Sequence, residues 1–168
     1  MNKKIIKYVT EIIRCPDFEY GKFEMGTLLH EAYCARLKNQ GYEIEKEVYK
    51  TYENYLLIGK VDAINEEEVI EIKTGKNPQL IYLMQLGIYM NMCNRQKGKL
   101  IMIANNIREF PLNEPLSDSA ILALIKNESR PKWGWECKKC RKRLICPYIS
   151  GTQKKSWRHL KTNTSIYA

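Results

Sequence analysis

Three ionisable residues in one short stretch, Asp62, Glu71 and Lys73, could do chemistry together. Within Gly59 to Lys73, polar Asn65 to Glu68 separates two apolar, β-branched runs, which is the pattern of a hairpin. A two-residue turn at Glu66-Glu67 would pair Ile64 with Val69 and set Asp62 opposite Glu71. Side chains alternate along a strand, so Glu71 and Lys73 share one face while Ile70 and Ile72 share the other. Opposed carboxylates repel, and a divalent cation would relieve the repulsion. Hard oxygen ligands suit magnesium or manganese. A solvated face with a structural Glu–Lys pair gives the same local pattern, so the elements around the hairpin must decide between the two.

The thiols form a second group. Cys137-x2-Cys140-x5-Cys146 is compact, whereas Cys15, Cys34 and Cys93 are scattered. No secretory signal opens the sequence, so six cysteines point to metal or redox use rather than a disulfide framework. A Cys-x2-Cys pair with two further thiols can bind tetrahedral zinc, and four thiolates can equally hold a [4Fe–4S] cluster. Cys34, midway along an expected helix, and Cys93, ending an apolar one, are expected to be buried core thiols.

The 168 residues are expected to form one domain, 1–148, followed by a basic tail, 149–168. At 44% hydrophobic and 28% charged residues the chain has the composition of a globular protein. No apolar run approaches the roughly 20 residues that span a bilayer, so an intracellular protein without membrane association is expected. The net charge of +9 is unevenly spread. Of 28 basic residues, 11 lie from Arg130 onward beside a single acid, Glu136, whereas residues 1–129 carry 17 basic against 18 acidic side chains. A basic segment of this kind suits a polyanion, and Lys138, Lys139 and Arg141 are its candidate DNA contacts. Trp133, Trp135 and Trp157 lie in the same segment and could stack on single-stranded bases.

The positioning elements follow from periodicity. Residues 4–13 read as a short helix or an arm, and Pro16 keeps Cys15 on extended backbone. Gly26-Thr27 signals an N-cap for a helix to about residue 39, with Leu28, Leu29, Tyr33 and Leu37 on one side and His30 in its first turn. Gly41 ends it. Tyr42 to Lys50 alternates as a strand, and the hairpin of 54–74 follows. After the break at Thr74 to Pro78, the nearly continuous apolar run 79–93 is long enough for a buried helix. Gln85 and Tyr89 share one face of it, and a buried Gln needs a partner or a ligand. A strand over 99–105, a turn at Asn105-Asn106, a short strand through Phe110 and a helix capped by Ser117 complete the core. This order describes an α/β fold with a mixed central sheet flanked by helices.

Together these residues resemble the PD-(D/E)XK nuclease superfamily, in its RecB-like branch. The resemblance is carried by Gly26-Thr27-Leu28-Leu29-His30, Gly59-Lys60-Val61-Asp62, Glu71-Ile72-Lys73 and Gln85-x3-Tyr89, in the family's order, and covers roughly residues 8–148. The Pro that commonly precedes the family's Asp is absent, and Gly-x-x-Asp stands there instead. One cysteine before the histidine helix and three after the core resemble the iron–sulfur nucleases. These include the AddB-type subunits and the CRISPR-associated RecB-family exonucleases.

The resemblance implies that His30, Asp62, Glu71 and the Ile72 carbonyl bind Mn2+ or Mg2+, with Lys73 orienting or deprotonating the attacking water. Gln85 and Tyr89 would hold the scissile strand or the water network. It favours a [4Fe–4S] cluster on Cys15, Cys137, Cys140 and Cys146, clipping distant segments together, with zinc as the alternative. It also implies a single-stranded DNA exonuclease, often 5′ to 3′ and sometimes endonucleolytic, trimming DNA with the CRISPR integrase in antiviral defence. Three rivals remain: a DNA-binding module with structural zinc, a non-catalytic scaffold subunit, and a viral or recombination nuclease of the same family.

Overall fold

The chain, as a computed structural model, is described over residues 4–19 and 24–148. The basic tail 149–168, with Trp157, lies outside the described residues. The elements are β1 (Ile5–Tyr8), α1 (Val9–Ile13), α2 (Glu24–Asn39), β2 (Glu43–Tyr52), β3 (Tyr55–Ile64) and β4 (Glu68–Thr74). They continue with α3 (Leu80–Met92), β5 (Lys97–Ile103), β6 (Ile107–Leu112), α4 (Asp118–Lys126) and α5 (Glu136–Lys139). Six strands form one sheet in the order β1-β3-β4-β5-β6, with β2 also paired to β3. β1 and β5 join their neighbours β3 and β4 in parallel, and the remaining pairs are antiparallel. The expected mixed α/β sheet is therefore present.

The two faces of β4 explain the layering. Ile70 and Ile72 pack with Ile101 and Ile103 against Cys34 and Leu37 of α2, flanked by Tyr33, Tyr42 and Ile44. On the other face, β5 begins opposite β4 with Gly98 against Val69. A Cβ on Gly98 would stand 2.5 Å from Met90 Sδ and 3.0 Å from Leu86 Cδ1, so α3 lies directly on this face. Leu86, Ile88 and Met90 are fully buried, each stabilising the fold by about 1.5–3 kcal/mol. Continuous apolarity in α3 thus reflects a helix enclosed on most sides.

Local chemistry sets the ends. Gly41 takes φ +89°, and the Gly41 and Tyr42 amides donate to the Lys38 and Leu37 carbonyls, the pattern of a Schellman stop. Ser117 caps α4 by accepting from the Ala120 amide. At the hairpin turn, Asn65 Oδ1 accepts from the Glu67 and Glu68 amides, and Ile64 pairs with Val69 as the sequence predicts.

Several expectations need correction. Residues 4–13 divide into a strand and a helix, because residues 5–8 pair in parallel with the start of β3. α2 has already begun at Glu24, so Gly26-Thr27 is not its N-cap and His30 sits in its second turn. Leu28 is 59% exposed and Leu29 37%, so of the predicted stripe only Tyr33 and Leu37 pack on the core, joined by Cys34. Cys34 is buried as expected, whereas Cys93 is only half-buried.

The described residues form two compact units, one of 4–13 and 24–127, the other of 14–19 and 128–148. The first carries the sheet. The second gathers the segments containing Cys15, Cys137, Cys140 and Cys146. No helix among the described residues is long and apolar enough to cross a membrane.

Candidate active site

The site of the first unit begins where the β3–β4 ladder stops. Backbone pairing covers Ala63 with Ile70 and Ile64 with Val69, and beyond that point Asp62 enters with its side chain. Asp62 Oδ2 accepts from the Ile72 amide at 2.7 Å, while Oδ1 lies 3.2 Å from His30 Nε2. A side-chain acceptor thus replaces the backbone carbonyl that a regular ladder would supply. It also fixes the carboxylate against β4.

Glu71 is 1% exposed, and its Oε1 accepts from the Lys73 ammonium. Oε2 is buried with no hydrogen-bond partner among the described residues. Burial pushes the Glu71 carboxyl up to about 7 against the pull of Lys73, and nearby Asp62 adds to the push. The His30 imidazole is raised chiefly by its hydrogen bond with Asp62, with burial opposing. Its Nδ1 faces the Cys34 thiol at 3.8 Å. Lys73 Nζ also stands 5.6 Å from the centre of the Tyr82 ring. A cavity of about 310 Å³ opens beside these groups, lined by Gly26, Thr27, His30, Ile72, Lys73 and Thr74. The motif at 26–30 therefore serves the cavity rather than the start of the helix.

From α3, Gln85 Nε2 donates to Tyr89 Oη at 3.3 Å, so the two residues predicted to share a face do meet. Both are buried, at 8% and 2% exposure. The Tyr89 hydroxyl is held in its neutral form by burial and by the charge of Glu71. Gly59 explains why a glycine precedes Asp62 by three residues. A Cβ there would meet Tyr89 Cε1 at 2.5 Å and Val9 Cγ2 at 2.9 Å. Gly59→Ala should displace the Tyr89 ring and cost about 1–3 kcal/mol, read as a lower urea midpoint. A midpoint equal to that of the unsubstituted chain would remove this account of Gly59.

The donor set, an imidazole, two carboxylates and a peptide carbonyl, fits a hard divalent cation. The orphaned Glu71 Oε2 fits the same conclusion. Each carboxylate has a side-chain partner, Asp62 in His30 and Glu71 in Lys73. Among the described residues no three His, Cys, Asp or Glu side chains stand together as a ready metal cage.

In the second unit the organising group is Glu136, which belongs to no motif of the sequence. Its buried carboxylate accepts from the Cys15 amide at 2.7 Å through Oε1, and from the Lys132 and Trp133 amides at 2.8 and 3.0 Å through Oε2. Arg130 Nη1 donates to Asp17 at 2.7 Å, and the Arg141 amide donates to the Glu19 carbonyl at 3.0 Å. The segment after Arg14 and the segment after Arg130 are thus tied together at several points. Burial raises the Cys137 thiol, and the charges of Cys146, Cys15 and Cys140 add to it. Four soft thiolates suit iron–sulfur or zinc by chemistry, and binding either would require their deprotonation. Lys138, Lys139 and Arg141 are all exposed. Trp135 meets Phe18 edge-on at 5.8 Å and carries Lys139 Nζ at 5.5 Å, so much of this ring is already committed to packing.

No family model matches the chain. It is 32% identical over 174 residues to the CRISPR-associated exonuclease Cas4 of Saccharolobus solfataricus, covering 83% of this chain and 86% of that protein. Among solved structures, the crystal structure of SSO0001 matches with a TM-score of 0.75 at 28% identity, over 89% of this chain and 90% of that one. An alkaline exonuclease, LHK-Exo from Laribacter hongkongensis, matches with a TM-score of 0.47 at 14% identity, over 86% and 75%. By the extent and identity of the first match, this chain belongs to the family of the CRISPR-associated exonuclease Cas4, within the RecB-like nucleases.

Proposed function

We propose that this chain is a divalent-metal-dependent DNA exonuclease acting on single-stranded or frayed DNA, 5′ to 3′ with some endonucleolytic cutting. The observation that carries the reading is Glu71, a carboxylate buried beside a lysine and a second carboxylate with one oxygen unpartnered. A fold gains nothing from such a group by itself, whereas a cation-binding site requires it. His30, Asp62, Glu71 and the Ile72 carbonyl would hold Mn2+ or Mg2+. A bound cation would offset charge on the phosphate and lower the pKa of a water. Lys73, half-buried between Glu71 and Tyr82, orients the attacking water and accepts or relays its proton. Gln85 and Tyr89, hydrogen-bonded to each other, would hold the strand or its water network, while Asp62 keeps β4 in register.

In the same reading, Cys15, Cys137, Cys140 and Cys146 hold a [4Fe–4S] cluster that stabilises the second unit, and Lys138, Lys139 and Arg141 contact DNA phosphates. The setting is intracellular, where thiolates stay reduced, and the partners are the integrase proteins of CRISPR spacer acquisition. The CRISPR association of the Saccharolobus solfataricus relative supports that context. The test is cleavage of end-labelled single-stranded DNA with Mn2+ or Mg2+, beside Lys73→Ala. Metal-dependent degradation should fall about 10³-fold in the variant. Degradation that survives the substitution, or none by the unsubstituted chain with either metal, would overturn the assignment.

A further inference from the structure

A second cleft lies just past the end of β4, three residues along the chain from the catalytic lysine. It holds about 610 Å³ and is lined by Lys76, Asn77, Ala104, Asn105, Asn106 and Arg108, with no acidic side chain among them. Its walls are the loop after β4 and the tight turn between β5 and β6, where the Ala104 amide donates to the Asn106 carbonyl. Gly75, at φ +143°, turns the chain off β4 and is anchored by its amide to the Ile103 carbonyl at 2.8 Å. That positive-φ turn, which favours glycine, is what delivers Lys76 to the cleft.

Sheet register ties the cleft to the chemistry. Lys73 pairs with Met102 and Met102 with Arg108, so the three stand in one row across β4, β5 and β6. Paired residues project to the same face, which puts Arg108 on the face of Glu71 and Lys73, two strand spacings or about 10 Å away. Arg108 is braced over the Phe110 ring at 5.6 Å, its neighbour on that face. Glu109 alternates to the other face and pairs there with Lys99 at 3.5 Å. Among the described residues neither Lys76 nor Arg108 has an ion-pair partner. Two cations and three amide side chains therefore converge without a compensating charge.

We propose that this cleft is a second phosphate-binding subsite, in which Lys76 and Arg108 hold a backbone phosphate of the strand whose scissile phosphate lies at Lys73. The guanidinium fork and the Asn amides match phosphate oxygens, and such contacts set position along the strand without reading its sequence. The subsite rests on the reading of the chain as a DNA nuclease. It adds where the strand runs: from the 310 Å³ cavity, past Thr74 and Gly75, to the β5–β6 turn.

The test uses the full chain and a fluorescent single-stranded oligothymidylate, with binding followed by anisotropy without added divalent metal so that nothing is cut. In Lys76→Ala/Arg108→Ala, affinity should fall about tenfold, and the slope of log affinity against log salt should shrink by about 0.7 for each phosphate no longer neutralised. Lys76→Arg/Arg108→Lys, which keeps both charges, should retain most of the affinity. With Mn2+, the alanine variant should hydrolyse bis(p-nitrophenyl) phosphate, too short to reach the cleft, at the unsubstituted rate. An unchanged affinity and slope would overturn the subsite, as would equal losses on the oligonucleotide and the small ester, which would mark a structural role. If the unsubstituted chain binds DNA but cuts none, the nuclease reading fails while the salt slope still decides the cleft.

Discussion

Glu71→Gln should abolish metal-dependent cleavage, by about 10³-fold or more, and yet make the metal-free protein more stable at pH 8. The carboxyl is fully buried and its pKa is pushed up from 4.5 to about 7. Between those values the folded protein binds a proton that the unfolded chain releases, so stability is full below about pH 4.5 and is lost as pH rises through about 7. The loss is on the order of 3 kcal/mol by the shift alone. The amide carries no charge at any pH, so the variant avoids most of this loss. Because Lys73 forfeits its partner, a net gain of about 2 kcal/mol is expected, or about 4–8 °C in Tm. Added Mn2+ should raise the Tm of the unsubstituted chain at pH 8 and leave the variant unmoved. A variant that melts lower than the unsubstituted chain at pH 8 without metal would show that Glu71 is a structural ion-pair partner. This trade between stability and activity is the expected signature of a group kept for its chemistry.

The second large effect lies at Glu136. Glu136→Ala removes an acceptor from three backbone amides at once, those of Cys15, Lys132 and Trp133. Hydrogen bonds to a charged group are worth about 1.5–3 kcal/mol each, so a loss of at least about 3 kcal/mol is expected in the second unit. Limited proteolysis should then cut near residues 14–19 and 128–148 well before the sheet is attacked. Iron or zinc, measured per chain after purification, should fall to a small fraction of the unsubstituted level. Glu136→Gln, which retains an acceptor oxygen, should keep part of both properties. Full metal content and unaltered proteolysis in Glu136→Ala would show that the cysteines organise this unit without the carboxylate.

Much of the site was legible because its determinants are local. The turn at Glu66-Glu67 follows from polar residues between β-branched runs, and the turn fixes the register of Ile64 with Val69. The spacing of Gln85 and Tyr89 brings them together on any helix. What stayed hidden depends on distant partners. Periodicity marked Leu28 and Leu29 as core, but it reports only that a helix has an apolar stripe and not what lies beneath each turn. Residues 26, 27 and 30 of that helix line a cavity instead. The early strand at residues 5–8 exists only because β3 offers it an edge. Glu136 does carry a sequence signal, as a single acid within a strongly basic, cysteine-bearing segment. Its partner Cys15 lies 121 residues away in sequence, beyond any local pattern.

The bond from the Ile72 amide to Asp62 Oδ2 also bears on how activity could be lost over time. Asp62 stitches the hairpin together where backbone pairing has ended, so a residue without an acceptor there would open the sheet as well as silence the site. Among the described residues the Glu71 carboxylate, bonded to Lys73 through one oxygen and unpartnered at the other, carries no such backbone duty. A descendant that drifts out of catalysis should therefore change position 71 first and retain Asp or Asn at 62, leaving a fold that outlives its chemistry.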